Sequence, residues 1–148
     1  MTDKPSLTLK RQMKASPARL FKAWTEPTKL VHWWGPADTE EGSIEAETDL
    51  RVGGAYRIRF RTADGRQHEA SGLYEEIVPD QKLVMSWTWS GAAAPTRLTV
   101  TFRGEEGGTM LILTHAGLDD TESVALHEAG WSGAIDKLER FVTRGGRK

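Results

Sequence analysis

The 148-residue chain contains no cysteine, which excludes disulfides, thiolate nucleophiles and cysteine-ligated zinc. It has no run of 18 or more apolar residues, so no membrane-spanning helix is expected. Residues 1–12 also lack the apolar stretch of a signal peptide. An excess of either charge is missing too: 20 basic residues face 21 acidic ones, for a net charge of −1. A generic nucleic-acid binder carries a basic surplus. No internal repeat and no linker-like stretch divides the chain. These absences predict a single cytoplasmic domain spanning 1–148, with no nucleic-acid partner and no membrane span. A chain of this length buries roughly 68–70% of its extended surface, so its core needs no covalent staple.

What the chain does have is tryptophan. There are six, against two tyrosines and four phenylalanines, and two of them are adjacent in His32-Trp33-Trp34-Gly35-Pro36. Tryptophan combines a large apolar surface with one N–H that needs a partner when buried. Neighbouring side chains leave a regular backbone in different directions. The expectation is therefore that one indole enters the core while the other meets a second surface, a ligand or water. If the fold gathers Trp24, Trp87, Trp89 and Trp131 around this pair, an aromatic-walled pocket results.

Alternation at Leu7, Leu9, Arg11 and Met13 predicts a first strand. Ser16-Pro17 is an N-cap followed by proline at the first helical position, and Leu20, Phe21, Ala23 and Trp24 continue a short helix. Glu26-Pro27 interrupts it, and a second short helix runs through Leu30 and Val31 to Trp33, stopped by Gly35-Pro36. Strands follow: residues 44–50, then Tyr56, Ile58 and Phe60 alternating with Arg57, Arg59 and Arg61, then residues 67–77 after the Asp64-Gly65 hairpin signal. Leu83, Met85, Trp87 and Trp89 share one strand face. Residues 91–95 loop to Leu98, Val100 and Phe102, and a turn over residues 105–108 leads to Leu111, Leu113 and His115. Gly53-Gly54 reads as a bend or bulge. A capping box at Asp119 and Glu122, with Asp120 as the alternative cap, opens a long helix. Val124, His127, Trp131, Ile135, Leu138 and Val142 share its apolar face, and residues 144–148 are a frayed tail.

These elements specify an α+β domain in which a curved antiparallel sheet of six to seven strands wraps a long C-terminal helix. A helix is about 10–12 Å wide, far narrower than such a sheet at about 4.8 Å per strand. The short helices carrying Trp33-Trp34 must therefore close one end, or a cavity remains.

The sequence at this point resembles the activator of Hsp90 ATPase branch of the START-like (SRPBCC, Bet v 1-like) helix-grip superfamily. The resemblance is carried by Trp24-Thr25-Glu26-Pro27, His32-Trp33-Trp34-Gly35-Pro36 and Gly53-Gly54-Ala55-Tyr56-Arg57. Asp64-Gly65, Gly72-Leu73-Tyr74-Glu75-Glu76-Ile77-Val78-Pro79, residues 109–115 and His127-Glu128-Ala129-Gly130-Trp131 extend it over almost the whole chain. It implies a cavity between sheet and terminal helix for hydrophobic or amphiphilic molecules. Members include lipid carriers, polyketide cyclase relatives, antibiotic-resistance proteins and a co-chaperone linked to stress response, so the fold does not fix the function. The co-chaperone places this domain after a separate N-terminal one, which these 148 residues do not contain; a chaperone partner is accordingly the weaker expectation.

The candidate ligand-binding residues are Trp33, Trp34, Phe60, Tyr74, Trp87, Trp89 and Trp131 as walls, with Tyr74, His115 and His127 as polar anchors. Such pockets are mostly apolar with a few polar groups; the competing reading is that the aromatics are ordinary core. His115 and His127 are either satisfied half-buried histidines or ligand anchors. A metal site would need Glu128 or His32 as a third ligand, and the spacing does not match one. Arg57, Arg59 and Arg61 are either a solvated face, with Glu75 and Glu76 as possible cross-sheet partners, or the source of an inward anchor for an anion. Gly130, inside the long helix, either permits a bend beside ligand or marks close helix-to-sheet packing. The expectation is a non-enzymatic domain that binds a hydrophobic or aromatic molecule. It has no cofactor, metal or catalytic residue, and a homodimer is possible. A cyclase- or hydrolase-type enzyme and a protein-interaction module are the alternatives.

Overall fold

In a computed structural model, residues 5–89, 95–118 and 121–145 are described, with 89, 144 and 145 described by backbone alone. The expected cap residues Asp119 and Asp120, the loop at 91–94 and residues 146–148 lie outside the described residues; residues 144 and 145, expected in a frayed tail, continue the last helix.

Strand β1 (Ser6–Met13) is followed by helix α1 (Pro17–Thr25) and the one-turn helix α2 (Pro27–Leu30). The Ser16 hydroxyl accepts from the Arg19 amide at 3.1 Å, and Pro17 occupies the first turn, where its missing N–H has no helical partner to lose. At the end of α1, the Lys22 carbonyl accepts from the Glu26 amide and the Thr25 carbonyl from the Thr48 hydroxyl, so these two orphan acceptors are satisfied. Strands β2 (Glu45–Thr48), β3 (Ala55–Arg61), β4 (Gln67–Val78), β5 (Lys82–Trp89), β6 (Thr96–Glu105) and β7 (Gly108–Ala116) follow, and α3 (Thr121–Gly145) ends the chain.

All neighbouring strands are antiparallel, in the order β1-β7-β6-β5-β4-β3-β2. The long C-terminal helix and the two short helices after β1 complete a helix-grip fold. Because β1 and β2 are the two edges of this curved sheet, the segment that carries α1 and α2 has to cross from one edge to the other. That topology carries Trp33-Trp34 across the mouth of the curve. Helix α3 lies toward the β1 side, where Arg11 pairs with Asp136 at 2.9 Å and Glu139 at 2.8 Å. Its inward stripe is Trp131, Ala134, Ile135, Leu138 and Val142. Leu20, Leu30, Leu83, Leu98 and Leu113 are also fully buried in the same core, each contributing about 1.5–3 kcal/mol.

Three expectations are corrected in detail. Strand β2 covers only Glu45–Thr48 of the expected 44–50, because Gly53, at φ +86°, and Gly54 turn the chain there. Gly53-Gly54 is thus a bend, one of the two readings expected of it, and the β4–β5 register shifts between Tyr74 and Glu76. Helix α2 ends at Leu30; Val31, His32 and Trp33 form a turn in which the Trp33 and Trp34 amides both donate to the Leu30 carbonyl. The arginine row of β3 faces outward and pairs with two acids of β2 and with Glu40 in the segment before it, not with Glu75 and Glu76. Arg57 meets Glu47, Arg59 meets Glu45 and Arg61 meets Glu40, while Glu75 and Glu76 pair with Arg97 and Lys82.

Candidate ligand-binding site

Five of the six tryptophans meet in one cluster. Trp24 packs edge-on to Trp33 at 4.8 Å between ring centroids and to Trp34 at 6.0 Å, and it stacks on Trp131 at 5.9 Å. Trp34, Trp87 and Trp131 form a triangle with sides of 5.7, 5.3 and 5.5 Å. Such offset and edge-to-face arrangements are worth about 0.5–1.5 kcal/mol per pair beyond burial. Both adjacent indoles are buried, Trp33 at 0% and Trp34 at 2% exposed, and of the two it is Trp34 that borders the open space of the grip. The turn after α2 is neither helix nor strand, so no regular period forces the two side chains apart. Trp33 goes deeper and donates its Nε1–H to the Ala23 carbonyl at 3.0 Å; Trp34 lies between it and the open end of the grip.

Above the Trp34–Trp87–Trp131 triangle is a pocket of about 630 Å³. Phe60 of β3, the 34–38 segment and the N-terminal half of α3 from Leu126 to Ala134 enclose it. Among the proposed ligand residues, Trp34, Phe60, Trp87, His127 and Trp131 border this space. Trp33 is one layer behind it. Tyr74 is buried against Tyr56 at 5.5 Å and does not reach it. The Trp89 side chain lies outside the described residues.

His115 does not border the pocket either; it supports the floor from below. The ring is 0% exposed. Its Nδ1 accepts from Trp131 Nε1 at 3.1 Å, and its Nε2 lies 2.7 Å from the Thr96 hydroxyl. Because Nδ1 is an acceptor, the neutral tautomer carries its proton on Nε2 and donates to Thr96, whose own hydroxyl donates to the Trp87 carbonyl at 3.2 Å. Burial, with a smaller contribution from His127 at 4.9 Å between rings, pushes the His115 pKa down to about 3. His115 is thus a neutral spacer joining two floor tryptophans. His127 Nδ1 donates to the Ser123 carbonyl at 2.8 Å, an i−4 contact within α3. His32 stacks on Phe141 at 5.1 Å, away from this pair, and among the described residues no group of three metal-ligating side chains converges.

The wall opposite α3 is tied down by close contacts and hydrogen bonds. Gly35 adopts φ +88°, and a Cβ there would collide with Thr39 Oγ1 and stand 3.2 Å from the Phe60 ring, so both conformation and space require glycine. Lys137 Nζ donates to the Trp34 and Pro36 carbonyls, each at 3.0 Å, and Thr39 Oγ1 donates to the Pro36 carbonyl at 2.7 Å. Burial pushes the Lys137 ammonium down to about 8, with Asp38 opposing that shift. The close packing expected at Gly130 occurs one turn later. A Cβ on Gly133 would stand 2.7 Å from the Ala37 amide nitrogen, whereas one on Gly130 would meet open space. Gly130 borders the pocket and keeps it wide.

Sequence reasoning missed Lys137, Gly133 and Asp38. Lys137 had a signal: it is a cation flanked by Ala134, Leu138 and Phe141 on the apolar side of α3. Asp38 and Gly133 had none, because their roles arise from two distant segments meeting.

The family model for Activator of Hsp90 ATPase homolog 1-like protein matches residues 14–143. Solved structures similar to this chain include a protein from Rhizobium leguminosarum, 28% identical, with a TM-score of 0.81 and 96% of each chain covered. The AHSA1 protein from Silicibacter pomeroyi is 26% identical, with a TM-score of 0.79, covering 95% of this chain and 99% of that one. A protein from Chromobacterium violaceum is also 26% identical, with a TM-score of 0.80 and coverages of 93% and 96%. No curated protein matches the chain.

Proposed function

The chain belongs to the Activator of Hsp90 ATPase homolog 1-like family of the START-like superfamily, and from that premise we propose that it is a non-enzymatic binding domain for a hydrophobic, aromatic small molecule. The observation that carries this reading is the pocket of about 630 Å³ over the Trp34–Trp87–Trp131 floor. Its size falls in the range of small-molecule sites, about 300–1,000 Å³. The floor is braced by His115 and the wall by Lys137, so little ordering is needed on binding, and preorganisation of this kind favours affinity. A cyclase- or hydrolase-type reaction would have to work through Asp38 and His127. These are the titratable side chains that border the pocket among the described residues, since both nitrogens of His115 are engaged.

The test is a thermal-shift screen of aromatic and lipid-like compounds, with tryptophan fluorescence as a second readout. At a ligand concentration of about 100 Kd the melting temperature should rise by about 5–10 °C. If no compound shifts the melting temperature or the fluorescence, the reading fails. A protein-interaction role has one observation in its favour: Leu126, at the pocket rim, is 69% exposed. Loss of a captured partner on Leu126→Ser, with aromatic binding absent, would favour that role instead.

A further inference from the structure

The pocket's charge differs from what its surroundings supply. Lysine and arginine make up 20 of the 148 residues, yet none borders the pocket among the described residues. The three arginines of β3, the strand that contributes Phe60, face the other side of the sheet and are paired with Glu47, Glu45 and Glu40. Lys137 is near, but its Nζ is turned onto the backbone of the wall, donating to the Trp34 and Pro36 carbonyls, and it does not reach the space. The carboxylate at the rim is Asp38. Among the described residues it forms no ion pair within 4.0 Å, and it acts on Lys137 through the field.

The floor sets the shape and Asp38 the charge. Trp34, Trp87 and Trp131 are packed too closely for a ligand to pass between them, with centroids 5.3–5.7 Å apart. A ligand therefore lies above them, where a ring meets apolar indole carbon. The positive end of the α3 dipole does not offset the Asp38 charge, because its effect fades within the first turn and the pocket begins at Leu126, in the second.

We infer that the ligand is a flat aromatic body bearing a positive charge, an aryl or benzylic ammonium, with its ring on the Trp34–Trp87–Trp131 floor and its cation toward Asp38. This rests on the binding reading above and specifies its ligand class. An aromatic carboxylate or sulfonate of the same size is disfavoured: it finds no cationic side chain in the pocket and places its charge beside Asp38.

Three naphthalene probes of one shape separate the inference from the reading it rests on: (naphthalen-2-ylmethyl)trimethylammonium, naphthalen-2-ylmethanol and naphthalen-2-ylmethanesulfonate. They are titrated into the full chain at pH 8 and low salt by calorimetry. The ammonium should bind about tenfold more tightly than the sulfonate, with the alcohol between them. Asp38→Asn, an exposed substitution, should reduce that ratio about threefold. If the sulfonate binds as tightly as the ammonium while the alcohol still binds, or if Asp38→Asn leaves the ratio unchanged, the charge inference is overturned and the binding reading stands. If none of the three binds to a chain that melts normally, the binding reading falls and the inference falls with it.

Discussion

Mild acid, near pH 5, should weaken this protein through His115. The folded chain keeps His115 neutral down to about pH 3, whereas in the unfolded chain a histidine takes up a proton below about 6.5. A histidine with a depressed folded pKa contributes its full stability above about pH 6.5 and loses it as the pH falls toward 3. One pKa unit is 1.36 kcal/mol, so by pH 5 the unfolded state has gained about 2 kcal/mol from this one proton. The perturbation is His115→Asn, whose side-chain carbonyl can still accept from Trp131 Nε1 but cannot be protonated. Urea unfolding followed by tryptophan fluorescence at pH 7.5 and pH 5.0 compares the two chains, with the slope m checked for constancy. The variant should be less stable at pH 7.5, because it leaves part of the His115 volume empty. The wild-type chain should lose about 2 kcal/mol more than the variant between the two pH values. Equal losses would refute the assignment of His115 as a buried neutral acceptor.

The two glycines of α3 should respond in opposite directions. Gly130→Ala should raise stability by about 1 kcal/mol, since Ala is the better helix former and the new methyl meets open space. Gly133→Ala should lower it, because overpacking against Ala37 costs about 1–3 kcal/mol and exceeds the helix gain; thermal melts of the pair check the contrast. Lys137→Met keeps the aliphatic stem but removes the donor to two carbonyls, which should cost about 2 kcal/mol in urea unfolding. Tyr56→Phe removes a hydroxyl that donates to the Ser86 carbonyl at 2.6 Å and should cost about 1 kcal/mol by the same measurement.

The strands were legible because half-buried antiparallel strands write their burial as alternation. The buried residues of β3, Tyr56, Ile58 and Phe60, are the ones its period of two selects. The turns were legible for a similar reason. In the Asp64-Gly65 hairpin, Gly65 has φ +84° and the Asp64 carboxylate accepts from Thr62 Oγ1 at 2.6 Å and the Arg66 amide at 3.0 Å, chemistry that those residue types announce. The site was legible only as a set of aromatics. Alternation on β5 and helical spacing on α3 put Trp87 and Trp131 inward, but neither gives the offset of α3 toward β1. That offset decides that the free space lies over Phe60 and Trp87 and not along the whole helix. Which of Trp33 and Trp34 goes deeper was not legible, because both follow α2 in an irregular turn with no period to assign an inward side. Gly130 and Gly133 could not be told apart by spacing, since the difference between them is the position of Ala37, about a hundred residues earlier in the chain.

The most direct test of the binding account uses the neutral fluorescent probe N-phenyl-1-naphthylamine with the wild-type chain and with Gly130→Phe. That substitution puts a ring into the open space above the tryptophan floor, and thermal melts establish that the variant still folds. The account predicts saturable, single-site enhancement of probe fluorescence with the wild-type chain and affinity at least about tenfold weaker for the variant. Equal affinity for the two chains, or no saturable binding to a folded wild-type chain, would contradict it.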